Sequence, residues 1–150
     1  MTLKTLLSSA FIGASLTLAA CSNADAPRAA QVESVQVAEL TPVSAVLIYA
    51  DWCGSCKVLD PKLKAVLPQF EDRGVTLVTL DYTAKDKDAF YAAASAAGVG
   101  EAVRSALGDT VKTGQLFLIP EGASAPAQKV NKSHSEDEIA ELIMLAMKAG

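Results

Sequence analysis

Ala45-Val46-Leu47-Ile48-Tyr49-Ala50-Asp51-Trp52-Cys53-Gly54-Ser55-Cys56-Lys57 is the stretch on which the fold turns. Its first six residues form a short apolar run rich in β-branched and aromatic side chains, the pattern of a strand buried on both faces. Beyond Cys53 the apolar positions Val58, Leu59, Leu63, Val66, Leu67 and Phe70 fall at helical spacing, interrupted by Pro61 and Pro68. A proline inside a helix removes a hydrogen bond and bends the axis, so a kinked helix is expected over residues 53–70. The two cysteines therefore sit where a buried strand gives way to a helix.

That setting matters for their chemistry. The first N–H groups of a helix lack intrahelical partners, and the helix dipole favours negative charge beside them. A thiolate at Cys53 is stabilised there. A free thiol has a pKa of about 8.5 and pairs of this spacing lower it to about 7, a difference of about 2 kcal/mol. The two-residue spacer, Gly54-Ser55, places both sulfurs where they close a small disulfide ring. Cys53 is then the attacking thiol and Cys56 the thiol that resolves a mixed disulfide.

Further along the chain, Val75 to Leu80 reads as a strand, Asp86 to Ala97 as an Ala-rich helix stopped by Gly98, and Glu101 to Leu107 as a short extra helix ending at Gly108. Gln115 to Ile119 is the next strand, followed by a turn-rich loop from Pro120 to Pro126 and a weak partner strand over Ala127 to Asn131. Two overlapping capping boxes, Ser133 with Glu136 and Ser135 with Glu138, open a last helix with Ile139, Leu142, Ile143 and Ala146 on one face. Upstream, Val35, Val37 and Leu40 suggest a short first strand before the turn at Thr41-Pro42. The element order implies an α/β fold: a mixed sheet of four to five strands with helices on both faces.

The N-terminus has a different character. After Lys4, the 16 residues from Thr5 to Ala20 are uncharged and rich in Leu and Ala, shorter than the about 20 needed to span a bilayer and suited to the apolar core of an export signal. The run ends in Leu18-Ala19-Ala20-Cys21, which resembles the lipobox of bacterial lipoproteins. That resemblance implies cleavage before Cys21, lipidation of its thiol, and a location in the cell envelope on the periplasmic side; Ser22 at the next position leans toward the outer membrane. Loss of residues 1–20 removes one cation, and 12 basic against 17 acidic residues leave a charge of −5. Residues 22–31 are small and polar, as in a flexible tether. The chain thus divides into a signal over 1–20, a lipidated tether and first strand over 21–40, and a folded domain over 41–150.

The Trp52-Cys53-Gly54-Ser55-Cys56-Lys57 segment, Pro61 eight residues beyond Cys53, and the element order resemble the thioredoxin family over residues 43–148. Tyr49-Ala50-Asp51-Trp52-Cys53 and Asp81-Tyr82-Thr83-Ala84 are similar to the C-terminal domain of the transmembrane disulfide reductase DsbD. The resemblance implies a thioredoxin-like fold and disulfide exchange with protein or small thiol partners, fed by an upstream redox partner, as a monomer and with no cofactor beyond the dithiol. Two departures stand out. The family's buried carboxylate, six residues before the first cysteine, is Leu47 here; Asp60, one helical turn beyond Cys56, is the candidate substitute as proton acceptor. The family's cis-proline before the third central strand falls on Gly114, preceded by Thr113, and no proline occurs between Pro68 and Pro120.

Other function classes are disfavoured. Seventeen acids against thirteen bases, with no Lys/Arg cluster, give no footprint for nucleic acid. Structural zinc needs four N or S ligands, whereas the folded part offers Cys53, Cys56 and the distant His134, a residue of the helix-cap region. No metal site is assigned. A copper(I) chaperone, or a module that binds partners without turnover, is the alternative that a cysteine pair also permits. Trp52 serves either as scaffold or as a cover for the reactive sulfur, and Lys57 either tunes the thiolate or is simply solvated. Asp51 is expected at the surface and Tyr82-Thr83 in a turn.

Overall fold

The computed structural model describes residues 40–150. The signal segment, Cys21, the tether, and Val35 and Val37 of the expected first strand lie outside the described residues. The element order is β1 (Val43–Tyr49), α1 (Gly54–Val66), β2 (Val75–Asp81), α2 (Lys87–Ala96), α3 (Gly100–Leu107), β3 (Gln115–Pro120), β4 (Gln128–Asn131) and α4 (Glu136–Met147). The strands make one mixed sheet in the order β2-β1-β3-β4. β1 runs parallel to β2 and antiparallel to β3, and β4 closes the far edge antiparallel to β3.

β1 is the central axis because it has apolar side chains on both faces. Ala45 and Leu47 enter a core with Leu59 and Leu63 of α1 and Ile139 and Ile143 of α4. Val46 and Ile48 enter a second core with Phe90 of α2, Val103 of α3 and Phe117 of β3. Burial of these side chains, about 1.5–3 kcal/mol each, is what fixes the register, since a slip of one residue would exchange the two faces.

The expected long helix over 53–70 is two elements. α1 continues through Pro61 but stops at Val66, and Leu67–Arg73 is a 3-10 segment with Pro68 in its first turn. Proline disfavours α geometry in the residue before it and is tolerated where its missing N–H costs no bond, so Pro68 starts a new element where a bend was expected. At α4 only the Ser135–Glu138 box forms, with both reciprocal hydrogen bonds present. Ser133 instead donates its N–H to the Asn131 side chain in the preceding turn. Along α4 Leu142 is half-buried, and Met147 completes the core at its end.

One end of the sheet carries the cysteines. The register sets Tyr49 beside Asp81 and Ile48 beside Gln115, so the end of β1, the end of β2 and the entry to β3 meet there.

Candidate active site

Cys53 is the N-cap of α1, in extended geometry, and its Sγ accepts the backbone N–H of Cys56 at 3.1 Å. Its own N–H donates to the Ala50 carbonyl at 3.0 Å, which turns the chain sharply from strand to helix. Cys53 and Cys56 form a disulfide with Cα atoms 5.3 Å apart. Cys56 is fully buried, whereas Cys53 is 5% exposed, so solvent reaches the pair through Cys53. The sulfur that accepts a backbone N–H at the positive end of a helix is also the one a partner meets first, the arrangement expected of a nucleophilic thiol.

The entry to β3 covers the pair from one side. Gly114 is buried with φ +76, and its N–H donates to the Ile48 carbonyl at 2.8 Å. A Cβ on Gly114 would lie 2.5 Å from the Ser55 Cβ and 3.2 Å from Cys53 Sγ. Thr113, just before it, is half-buried, and no cis peptide bond occurs among the described residues. The position of the family's proline is therefore a glycine in left-handed geometry, pressed onto the cysteine loop.

A second loop holds Trp52. Its indole N–H donates to the Thr83 carbonyl at 3.1 Å, and the Lys85 ammonium lies 5.0 Å from the ring centre. Trp52 is 51% exposed, with the indole held at one edge by the Thr83 carbonyl. Thr83 Oγ1 accepts the Asp51 N–H at 3.0 Å, while the Asp81 carboxylate accepts the Thr83 hydroxyl and its N–H. Those bonds, the hydroxyl's first, hold the Asp81 carboxyl below its ordinary range. Lys85 adopts φ +58, unusual for a residue with a side chain.

Behind Cys56 lies a pocket of about 290 Å³ whose walls include Leu47, Tyr49, Lys57, Asp60 and Lys64. Cys56 and Asp60 share this pocket, as the four-residue spacing anticipated. Asp60 is also paired with Lys64 at 2.6 Å. Tyr49 donates its hydroxyl to Asp51 at 3.0 Å, and this bond, reinforced by desolvation, raises its phenol above the usual value.

The structure thus brings together Trp52, Cys53, Gly54, Ser55, Cys56, Lys57, Asp60, Thr113 and Gly114, all named from sequence. Lys57 and Gly54 are exposed. His134 stays apart, its Nδ1 against the Asn131 backbone, and among the described residues no group of three or more His, Cys, Asp or Glu gathers as a metal site. Sequence reasoning missed Thr83 and Lys85 as supports of the cysteine loop. The signal for Thr83 was present in Asp81-Tyr82-Thr83, since an aspartate two residues before a threonine at a strand end makes a local side-chain turn.

The Thioredoxin family model matches residues 29–95, which span β1 through nearly all of α2 and include both cysteines. A Schizosaccharomyces pombe protein provisionally named a protein disulfide-isomerase is 32% identical over 63 residues, which are 42% of this chain and 13% of that protein. The chain thus matches only a small part of that relative's length. Among solved structures, Trxlp from Edwardsiella tarda aligns at 17% identity and a TM-score of 0.46 over 71% of this chain and 86% of its own. StoA from Bacillus subtilis aligns at 15% and 0.45 over 69% and 83%. The chain is thus similar to the Thioredoxin family over residues 29–95, the segment that carries the Cys-x-x-Cys pair at the head of α1 within a four-stranded mixed sheet flanked by helices.

Proposed function

We propose that this protein is a thiol-disulfide oxidoreductase that exchanges disulfides with protein or small thiol partners. The observation that carries the reading is the disulfide itself: Cys53 caps α1, accepts the Cys56 N–H on its sulfur, and is the more exposed partner. In the reducing direction the Cys53 thiolate attacks one sulfur of a substrate disulfide and releases the other as a thiolate. Cys56 then gives its proton to Asp60 and attacks the Cys53 sulfur. The second substrate thiolate leaves, and two electrons have passed from the dithiol to the substrate. Run backwards, the same steps oxidise a substrate dithiol.

The proposed setting is the cell envelope. Lipidation at Cys21 would tether the domain to a membrane by its N-terminus, facing the periplasm, and Ser22 leans toward the outer membrane. Support comes from the residue 1–21 pattern alone. A Cys21→Ala variant expressed in a Gram-negative host should leave the membrane fraction; retention there would overturn the tether.

The function is tested by insulin reduction with dithiothreitol as electron source. Cys53→Ala should abolish activity, and Cys56→Ala should accumulate mixed disulfides that reductant releases. Full activity in both variants would overturn the proposal. Stoichiometric copper(I) uptake that shields both thiols, without any exchange activity, would instead establish a metal-binding role.

A further inference from the structure

Ser55 and Gly114 are 59 positions apart in sequence, yet the space a side chain at 114 would need is already filled by the Ser55 Cβ. We propose that Gly114 is a positioning residue for the cysteine pair, interlocked with Ser55, and that this close approach sets the balance between disulfide and dithiol. The inference concerns the equilibrium of the pair and adds to the oxidoreductase reading a residue that governs it.

Three observations converge. A Cβ at 114 would stand 2.5 Å from the Ser55 Cβ, a contact that one of the two backbones must move to relieve. It would also stand 3.2 Å from Cys53 Sγ. Finally, the Gly114 N–H donates to the Ile48 carbonyl at 2.8 Å, and Cys56 Sγ lies 3.7 Å from that same oxygen. A side chain at 114 would therefore meet both the spacer residue and the Cys53 sulfur, and the Gly114 N–H shares an acceptor with Cys56.

The two redox states answer differently to a side chain at 114. In the disulfide, the Cys53–Cys56 bond closes a ring through Ser55, so the Ser55 Cβ cannot withdraw from an added methyl group and Cys53 Sγ cannot turn away from it. In the dithiol the ring is open, so the Ser55 segment can shift and Cys53 can rotate about its Cα–Cβ bond; removing the Ser55 Cβ gives the methyl group the same room and leaves only the looser sulfur contact. Reduction adds two electrons and two protons and also gives the Cys56 thiol a hydrogen to donate to the Ile48 carbonyl. A methyl group at 114 should therefore destabilise the disulfide more than the dithiol.

The chain supplies its own control. Gly122 has φ +75, nearly the same as Gly114, but nothing lies within 4 Å of a Cβ placed there, and it sits in the β3–β4 connection at the opposite end of the sheet. Gly122→Ala carries the same backbone strain without the contact.

The test is equilibration of the full chain with reduced and oxidised dithiothreitol, reading the oxidised fraction by thiol alkylation. Gly114→Ala should shift the equilibrium toward the dithiol by about tenfold, or about 30 mV. Gly122→Ala should leave it within about twofold of the parent. Ser55→Gly should rescue: the Ser55→Gly/Gly114→Ala double variant should return to within about threefold of Ser55→Gly alone. A Gly114→Ala shift no larger than that of Gly122→Ala overturns the proposal, as does a shift that Ser55→Gly leaves unrelieved. Should Gly114→Ala fail to fold, recovery of folding in the double variant supports the interlock, and failure to recover overturns it. The equilibrium is measurable whether or not the protein turns over insulin, so loss of the enzymatic reading leaves this outcome distinct.

Discussion

The backbone N–H of Cys56 points at the Sγ of Cys53 from 3.1 Å, while the Cys56 sulfur itself is sealed from solvent. One residue thus supplies both the donor that stabilises a Cys53 thiolate and the thiol that later attacks it. Because the donor is main chain, it survives replacement of the Cys56 side chain.

This predicts that Cys53 titrates below the ordinary value of about 8.5 in the reduced protein, and still does so in Cys56→Ala. Thiolate absorbance followed against pH measures it. A midpoint at or above the free-thiol value would show that the helix terminus does not activate this sulfur.

Asp60 lines the pocket behind Cys56, and Cys53 does not. Asp60→Asn should therefore slow resolution of the mixed disulfide while leaving its formation unchanged. A positioned proton acceptor contributes about 100-fold or more, so the loss should approach that at neutral pH and shrink as the solution becomes basic enough to ionise Cys56 unaided. Single-turnover decay of a mixed disulfide across pH separates the steps. Superimposable profiles for parent and variant would remove Asp60 from the mechanism.

The parts of the fold that were legible in sequence are those decided by neighbours in the chain. β1 and β3 were readable because both faces are buried and their apolar runs are unbroken. α4 was readable because Ser135 and Glu138 satisfy each other's end of the helix within one turn. Cys53, Cys56 and Asp60 belong to the same class, since one helix sets their spacing. The end of α1 was harder: periodicity carried across Pro68, whereas proline's restriction on the residue before it ended the helix at Val66. The Asp81–Thr83 turn was local and readable, but the bond from Asp51 to Thr83, the approach of Lys85 to Trp52 and the packing of the Gly114 backbone beside Ser55 join segments tens of residues apart, which no local pattern records. The absence of a proline at 114 was visible, but the left-handed backbone that replaces it was not.

Thr83 ties the β2–α2 connection to the cysteine loop through its side chain, accepting the Asp51 N–H and donating to Asp81. Thr83→Ala removes both bonds and should cost about 1 kcal/mol in urea unfolding. The carbonyl that holds the Trp52 indole is main chain and stays in the variant. Trp52 is the chain's one tryptophan, so its emission reports the loop directly. The expectation is a red-shifted, more quenchable Trp52 together with slower insulin reduction; unchanged emission and rate would mean that Thr83 does not support the site.

Acid should weaken the fold through two identified carboxylates. Asp81 is held below its ordinary range by Thr83, and Glu138 by the Ser135 N–H and then its hydroxyl. A carboxylate depressed in the folded state adds stability that is complete above its unfolded pKa and disappears as pH falls through the folded value. The loss should therefore begin at pH values below about 5 and continue downward through the carboxylate range. Glu138→Gln removes one of the two groups, so its urea midpoint should fall less than the parent's between pH 7 and pH 3. Ser135→Ala should cost about 1 kcal/mol at neutral pH through the lost cap, and it should leave a shallower acid slope because one of the bonds depressing Glu138 is gone. Parallel pH profiles for the parent and both variants would show that the capping box does not couple protonation to stability. The site's own loop would then carry the acid sensitivity through Asp81, and Thr83→Ala would be the variant that flattens it.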